Sequence, residues 1–380
     1  MKGVNRKFIA WSSGLAYTMI GLEILFMISP VALYYYSVYS PILNWLDSYP
    51  LLSWTTKFIF PHFCETSSVL INNVSPIGIV LFVLGLILFI LSASQLYFTK
   101  FTKRQVVFSG LYRYIRHPQY LAFGIMGLGT FLFWPRIIVL YLYVVMLLVY
   151  SWLAKWEEQL CLKEYGIEYE KYLTRTDRFI PGEKKIFKTR NDFRNIDHPF
   201  KTEASSLIVI CSILLIGIFA EFFRDCSIRN LYTYSTKYSV SISLVEPHSG
   251  ELKKLHEIIQ NDSLLVDLIE KKKDTSKYKF LCYVAPAELA VPELPFSKIE
   301  QGPQHSHFIR RELNDGKYRI LFCEPIVLIE CIKSDMDLIK RTETIEPFLE
   351  VIVDLDSEQI NRINSSSFTM KWQGIRTPLF

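Results

Sequence analysis

The fold class this sequence predicts is an all-α polytopic membrane domain followed by a C-terminal α+β soluble domain, and three observations predict it. Half of the 380 residues are hydrophobic and only 21% are charged. Mean hydropathy is +0.21, high for a soluble enzyme. The apolar residues are also unevenly spread: residues 1–223 carry long apolar runs, while residues 224–380 have the composition of an ordinary soluble domain. An aromatic content of 15% excludes a disordered chain. The net charge of +5, from 42 Lys and Arg against 37 Asp and Glu, is too small and dispersed for a nucleic-acid binder. The seven cysteines, Cys64, Cys161, Cys211, Cys226, Cys282, Cys323 and Cys331, include no C-x-x-C pair, so no thiolate metal site is expected.

The expected division is a membrane domain over 1–203, a further transmembrane helix over 204–223, and the α+β domain over 224–380. The start is basic, with Lys2, Arg6 and Lys7 before an apolar run. That run is longer than a signal-peptide core and lacks a small-residue cleavage site, so it reads as a retained membrane helix. A bilayer core of roughly 30 Å takes about 20 helical residues. Ile9–Pro30 meets that length and is followed by Tyr34, Tyr35 and Tyr36, which suit an interfacial aromatic belt. Pro76–Phe98 is the second span, uncharged throughout and followed by Lys100, Lys103 and Arg104. Residues 37–75 between them, with Trp45, Trp54 and Lys57, read as an interfacial or re-entrant loop.

The next two apolar segments are short. Tyr120–Trp134 has 15 residues and Ile137–Leu153 has 17, joined by Trp134-Pro135-Arg136. At 1.5 Å per residue, the first spans roughly 22 Å, less than the hydrocarbon core. The open end of this hairpin is therefore expected to be recessed, leaving a pocket at one membrane face. The second of its helices continues beyond the membrane, because Ala154–Tyr165 stays helix-friendly until Gly166. Ser206–Phe222 is the fifth span. Basic segments at 1–7, 99–117 and 154–203 fall on one side if the N-terminus is cytoplasmic, which puts 224–380 on the extracytoplasmic side.

In the last region Tyr238–Leu244, Lys279–Val284, Tyr318–Cys323 and Leu349–Val353 read as strands, and Glu251–Ile259 and Ser357–Ile363 as helices. Cys226, Cys282, Cys323 and Cys331 have two readings, one or two disulfides in an oxidising compartment or four free thiols.

The densest polar cluster is Gly110-Leu-Tyr-Arg113-Tyr-Ile-Arg116-His117-Pro118-Gln-Tyr120, at the base of the short hairpin. Pro118 suits the first turn of a helix, where its missing N–H costs nothing. By composition alone the cluster serves equally well as an interfacial anchor. A second cluster, Lys155-Trp156-Glu157-Glu158 followed by Tyr165-Gly166, Tyr169 and Tyr172, reads alone as a solvated helix face. The hairpin brings the two to the same membrane face, so basic and acidic groups share one recess. Glu23, inside the first span, is a separate functional candidate, since a carboxylate within a membrane segment is costly. Its bland reading is a protonated or hydrogen-bonded side chain.

Together the clusters resemble the isoprenylcysteine carboxyl methyltransferase and phospholipid methyltransferase superfamily. The matching residues are Gly110, Tyr112, Arg116-His117-Pro118, Tyr120, Glu157-Glu158, Tyr165-Gly166, Tyr169, Tyr172 and Arg178-Phe-Ile-Pro181, within about residues 76–182. The resemblance implies an integral membrane enzyme that binds S-adenosylmethionine in the hairpin recess, open to the cytosol. Its lipophilic acceptor, an isoprenylcysteine-like carboxylate, a phospholipid amine or a thiol, enters from the membrane lipids. The implied cofactor contacts are Gln105, Tyr112, Arg113, Tyr114, Ile115, His117, Tyr120, Ile125, Met126, Gly127, Leu128 and Glu157. Arg116, His117 and Glu158 are the implied catalytic residues.

A sulfonium cation suits a carboxylate and tyrosine faces, and its amino-acid carboxylate suits Arg113, Arg116 or His117. Gly124, Gly127 and Gly129 allow close approach of either a ligand or a neighbouring helix. The family's carboxyl methyltransferases carry an Arg four residues before the first Glu of the pair, where this chain has Leu153 and Lys155 is the nearest cation. That departure weighs against prenylcysteine as acceptor. Two other classes stay open: an NADPH-dependent membrane sterol or steroid reductase, whose turn would carry Asn where Gln119 stands, and a membrane sensor or assembly protein with a degenerate core. The membrane is the plasma, inner or endoplasmic reticulum membrane, crossed several times.

Overall fold

Long runs of apolar helix formers underlie the longest elements. In the computed structural model, which describes residues 41–183 and 203–365 apart from 47, 50–51, 62, 104–106, 290, 292–293, 298–315 and 328–330, helix α1 runs Val74–Lys103, α2 Pro118–Phe133 and α3 Ile137–Arg175. The expected spans at 76–98, 120–134 and 137–153 lie on these three helices, although α2 ends one residue earlier. Ile9–Pro30, Glu23 and Gln105 lie outside the described residues. Among the described residues two helices are long and apolar enough to cross a membrane, Val69–Thr99 and Ile137–Arg175, and α2 is a shorter apolar helix. Helix α4, Glu203–Arg229, contains the expected fifth span and exposes Leu214, Leu215, Phe219 and Phe222.

The described residues fall into two compact units. One lies between residues 74 and 217. Within it α1 and α2 touch backbone to backbone. A Cβ on Gly129 would lie 2.4 Å from the Phe82 nitrogen, and one on Gly85 would lie 2.6 Å from the Met126 nitrogen. Gly124 meets only the Leu147 side chain, at 3.6 Å. Gly129 is thus a helix-packing glycine. Helix α3 does not stop at Gly166 but kinks there, at φ 55° and ψ −127°, and its last turns come back toward the hairpin base. That combination belongs to glycine, which explains the residue at this position.

The second unit joins residues 41–73 to residues 218–365. The earlier segment is therefore not a membrane loop. Phe63 enters the sheet core, Thr66 bridges Leu231, the Glu65 N–H donates to the Leu244 carbonyl, and the Lys57 ammonium pairs with Glu343 where both are buried. Hydropathy alone does not reveal this, because the partners are about 160 to 290 residues away in sequence.

The core of this unit is a six-stranded sheet in sequential order: β1 Thr233–Ser235, β2 Ser239–Ser243, β3 Phe280–Pro286, β4 Lys317–Val327, β5 Thr342–Asp354 and β6 Gln359–Asn364. Helices α5, Glu251–Asn261, and α6, Ser263–Lys273, form the crossover between β2 and β3, the parallel pair; the other pairs are antiparallel. Strand periodicity divides β3 between two layers. Phe280, Cys282 and Val284 pack with Leu255, Ile259 and Leu265, whereas Leu281, Tyr283 and Ala285 pack with Phe63, Ile228 and Leu338 of α7, Asp335–Arg341.

One expectation fails here: Ser357–Ile363 is not helical. Ile360 and Ile363 share a helical spacing, but the Asp354 carboxylate accepts the Asp356 and Ser357 N–H groups and turns the chain, so β6 pairs back on β5. All seven cysteines are free thiols, so no disulfide forms.

Candidate functional site

The base of the hairpin is assembled from four pieces of the first unit. Gly110 opens the turn at φ +59°, and the Gln95 amide of α1 occupies the place a Cβ would take. Gln95 donates to the Ser109 carbonyl and accepts the Leu111 N–H at 3.3 Å. Buried Tyr112 donates to Gln119 Oε1 at 3.0 Å, with the Ser92 carbonyl at 3.3 Å. The Tyr172 hydroxyl, from the returning end of α3, donates to the Tyr112 carbonyl at 2.6 Å.

His117 is the N-cap of α2 but its side chain caps nothing, so the ring turns to α3 instead. Its Nδ1 lies 3.5 Å from Glu157 and its Nε2 lies 3.3 Å from Glu158, an ion-pair approach in which Nε2 lacks hydrogen-bond alignment. Tyr120 stacks on His117 at 5.4 Å and on Tyr150 at 4.9 Å, and its hydroxyl donates to Glu157 Oε1 at 2.7 Å.

Adjacent helical residues point about 100° apart, so the two glutamates cannot share one environment. The Glu157 side chain is 38% exposed, whereas the Glu158 side chain is 4% exposed. Glu158 accepts from Arg116 Nε at 2.7 Å and from Arg178 at 3.0 and 2.7 Å, while Arg116 also donates to the Leu173 and Thr176 carbonyls. Burial alone would raise the Glu158 carboxyl, but His117, Arg178 and Arg116 hold it well below the usual carboxylate range. For His117 burial pulls downward, and the Glu157 and Glu158 carboxylates overcome it, so the imidazole titrates above its ordinary value.

The structure thus brings Tyr112, Arg116, His117, Tyr120, Glu157 and Glu158 together, with Ile115 buried beside them. Arg113 and Tyr114 are exposed on the outer side of the turn. Ile125, Met126, Gly127 and Leu128 lie further along α2, roughly 10–15 Å from its start at the helical rise. Met126 there packs against Gly85 and joins the apolar cluster of Phe123, Met146, Tyr150 and Leu153. Residues that motif reading passes over are Gln95, Ser92 and Tyr150. Gln95 alone had a signal, as an amide near the end of an apolar helix. No cluster of metal-binding side chains occurs among the described residues.

Residues 74–168 match the family described as phospholipid methyltransferase, consistent with the membrane methyltransferase superfamily that the motifs resemble. The match spans a quarter of the chain and supports a membrane methyltransferase in general. No curated protein and no solved structure matches.

Proposed function

We propose that this chain is an S-adenosylmethionine-dependent methyltransferase that acts on a lipophilic acceptor at the membrane surface. The observation that carries the reading is Glu157, a part-exposed carboxylate held by Tyr120 and His117 beside stacked tyrosine rings, above apolar helices. That donor set fits a sulfonium, because the carboxylate and the ring faces attract the cation. When bound, the cofactor supplies the electrophilic methyl group. The chain's own residues contribute positioning, through Glu157, Tyr120 and the turn at Tyr112. Glu158, locked between two arginines, serves as their counter-ion rather than as a base, so an amine acceptor would give its proton to Glu157 or to solvent. Buried Leu153, packed among Tyr120, Phe123 and Tyr150, puts no cation where a substrate carboxylate would need one. This favours an amine or thiol acceptor.

The recess is read as cytoplasmic and the sheet unit as extracytoplasmic. Because residues 41–73 and 218–365 fold together, they must share one side, and an even number of crossings must separate them. Helices α1 to α4 make four, in keeping with a multi-pass chain of five spans. Binding of labelled S-adenosylmethionine to detergent-purified protein tests the assignment. Glu157→Gln and His117→Ala should each weaken it about 100-fold without changing membrane insertion, and NADPH should not compete. Wild-type affinity in both variants would remove the site.

A further inference from the structure

We propose that the segment 176–183 is a latch on the methyl-transfer site and that Arg178 is its positioning residue; this rests on the reading above. After α3 ends at Arg175 the chain runs alongside the cofactor turn. Ile115 and Asp177 form a parallel bridge, the Arg116 N–H donates to the Asp177 carbonyl at 2.9 Å, and the His117 N–H donates to the Arg178 carbonyl at 3.1 Å. Two of the residues that frame the recess thus take their backbone partners from this segment.

Its side chains complete the closure. Arg178 grips both oxygens of Glu158, a two-point contact that fixes direction as well as distance. With one Glu158 oxygen shared between Arg116 and Arg178, the carboxylate is drawn away from the recess, and Glu157 is left as the carboxylate facing it. Phe179 lies 6.0 Å from His117 between ring centres and packs against the apolar cluster of the hairpin. The segment is also built to keep its shape. The Gly182 N–H donates to Asp177 Oδ2 at 2.7 Å, and the Phe179 N–H donates to Glu183 Oε2 at 3.0 Å.

The kink at Gly166 makes the latch reachable. Without it α3 would carry residues 167–183 straight away from the hairpin base, and no atom lies within 4 Å of where a Cβ at Gly166 would stand. The constraint on that residue is therefore backbone conformation alone, which is what a joint between two rigid pieces requires.

The test compares Arg178→Gln and Arg178→Lys with the wild type in the full-length protein. Two readouts are used, S-adenosylmethionine affinity and amide hydrogen exchange of peptides covering 115–118, 120–133 and 137–160. Arg178→Gln should weaken cofactor affinity about tenfold and speed exchange over 115–118 while the two helix peptides stay protected; Arg178→Lys should recover part of both. Wild-type affinity in Arg178→Gln, with the wild type binding cofactor, overturns the latch and leaves the methyltransferase reading standing. Faster exchange throughout all three peptides would show a merely structural residue and also overturns it. If the wild type binds no S-adenosylmethionine, the functional reading falls, and unchanged protection over 115–118 in Arg178→Gln then overturns the latch separately.

Discussion

His117 and His256 are equally buried, each 4% exposed, yet they titrate in opposite directions. His117 stands between two carboxylates, and their charge outweighs the cost of burying an imidazolium. His256 of α5 meets the Ser241 hydroxyl at 2.6 Å and the Tyr234 ring at 5.3 Å, so burial dominates and lowers it to about 4. The difference distinguishes the two units. The helical unit buries charge in compensated groups around Arg116, His117 and Glu158. The sheet unit buries His256 beside neutral partners, Ser241 and Tyr234, and its buried ion pairs, Lys57 with Glu343 and Arg319 with Glu350, tie distant segments or adjacent strands together. Burial stabilises both, but only in the helical cluster do the buried charges surround a part-exposed carboxylate, Glu157.

The comparison can be broken at several points. Glu158→Ala should have the largest effect, because it strands Arg116 and Arg178 without their shared counter-charge. A loss of about 3–5 kcal/mol is expected in thermal or denaturant unfolding of the helical unit, together with loss of cofactor binding. A loss below about 1 kcal/mol would mean that the cluster is not a compensated one. Gly129→Ala comes next, since its new methyl group meets the backbone of α1 at Phe82 and Gly78. About 1–3 kcal/mol should be lost with the cofactor affinity changed less.

Acid sharpens the contrast between the histidines. The folded value of His256 is lowered, so unfolded chains bind more protons between its ordinary value, about 6.5, and about 4. The sheet unit should therefore be fully stabilised above that window and lose on the order of 3 kcal/mol as pH falls through it. His256→Gln should flatten this dependence. His117 has the reverse sign: its contribution is present below its ordinary value and is lost as pH rises through its raised folded value. Unfolding midpoints of the two units, followed by separate probes across this range, check both. The smallest effect belongs to Asp262→Ala, which removes the N-cap acceptor of the Leu265 N–H and should cost about 1 kcal/mol in the sheet unit alone.

Legibility in the sequence followed the range of the interactions. Helices α1 to α3 each contain a long apolar run, and the motif residues Arg116, His117, Tyr120 and Glu157 lie on elements that the fold brings together. The division of labour between Glu157 and Glu158 was not legible, because it depends on Arg178 arriving from beyond the Gly166 kink. Strands β2 to β5 were placed within a few residues, apart from the long first half of β5, although β2 and β3 are buried on both faces and not alternately. Strand β6 was mistaken for a helix because Ile360 and Ile363 fit a helical spacing, while the turn chemistry of Asp354 acts one residue at a time. The membership of residues 41–73 in the sheet unit is set by contacts such as Lys57 with Glu343, which no local pattern encodes.

That last feature has a cost in time. Phe63 leaves the ribosome long before Ile228 and Leu231, its eventual neighbourhood, some 160 residues later. At roughly 5–20 residues per second the wait is roughly 8–30 s, during which this apolar side chain has no sheet to cover it. A nascent chain in that interval is a natural client for a holding chaperone. For the same reason a chain cut after residue 203 is not a clean fragment of the helical unit, since it keeps residues 41–73 of a unit whose remainder it never makes.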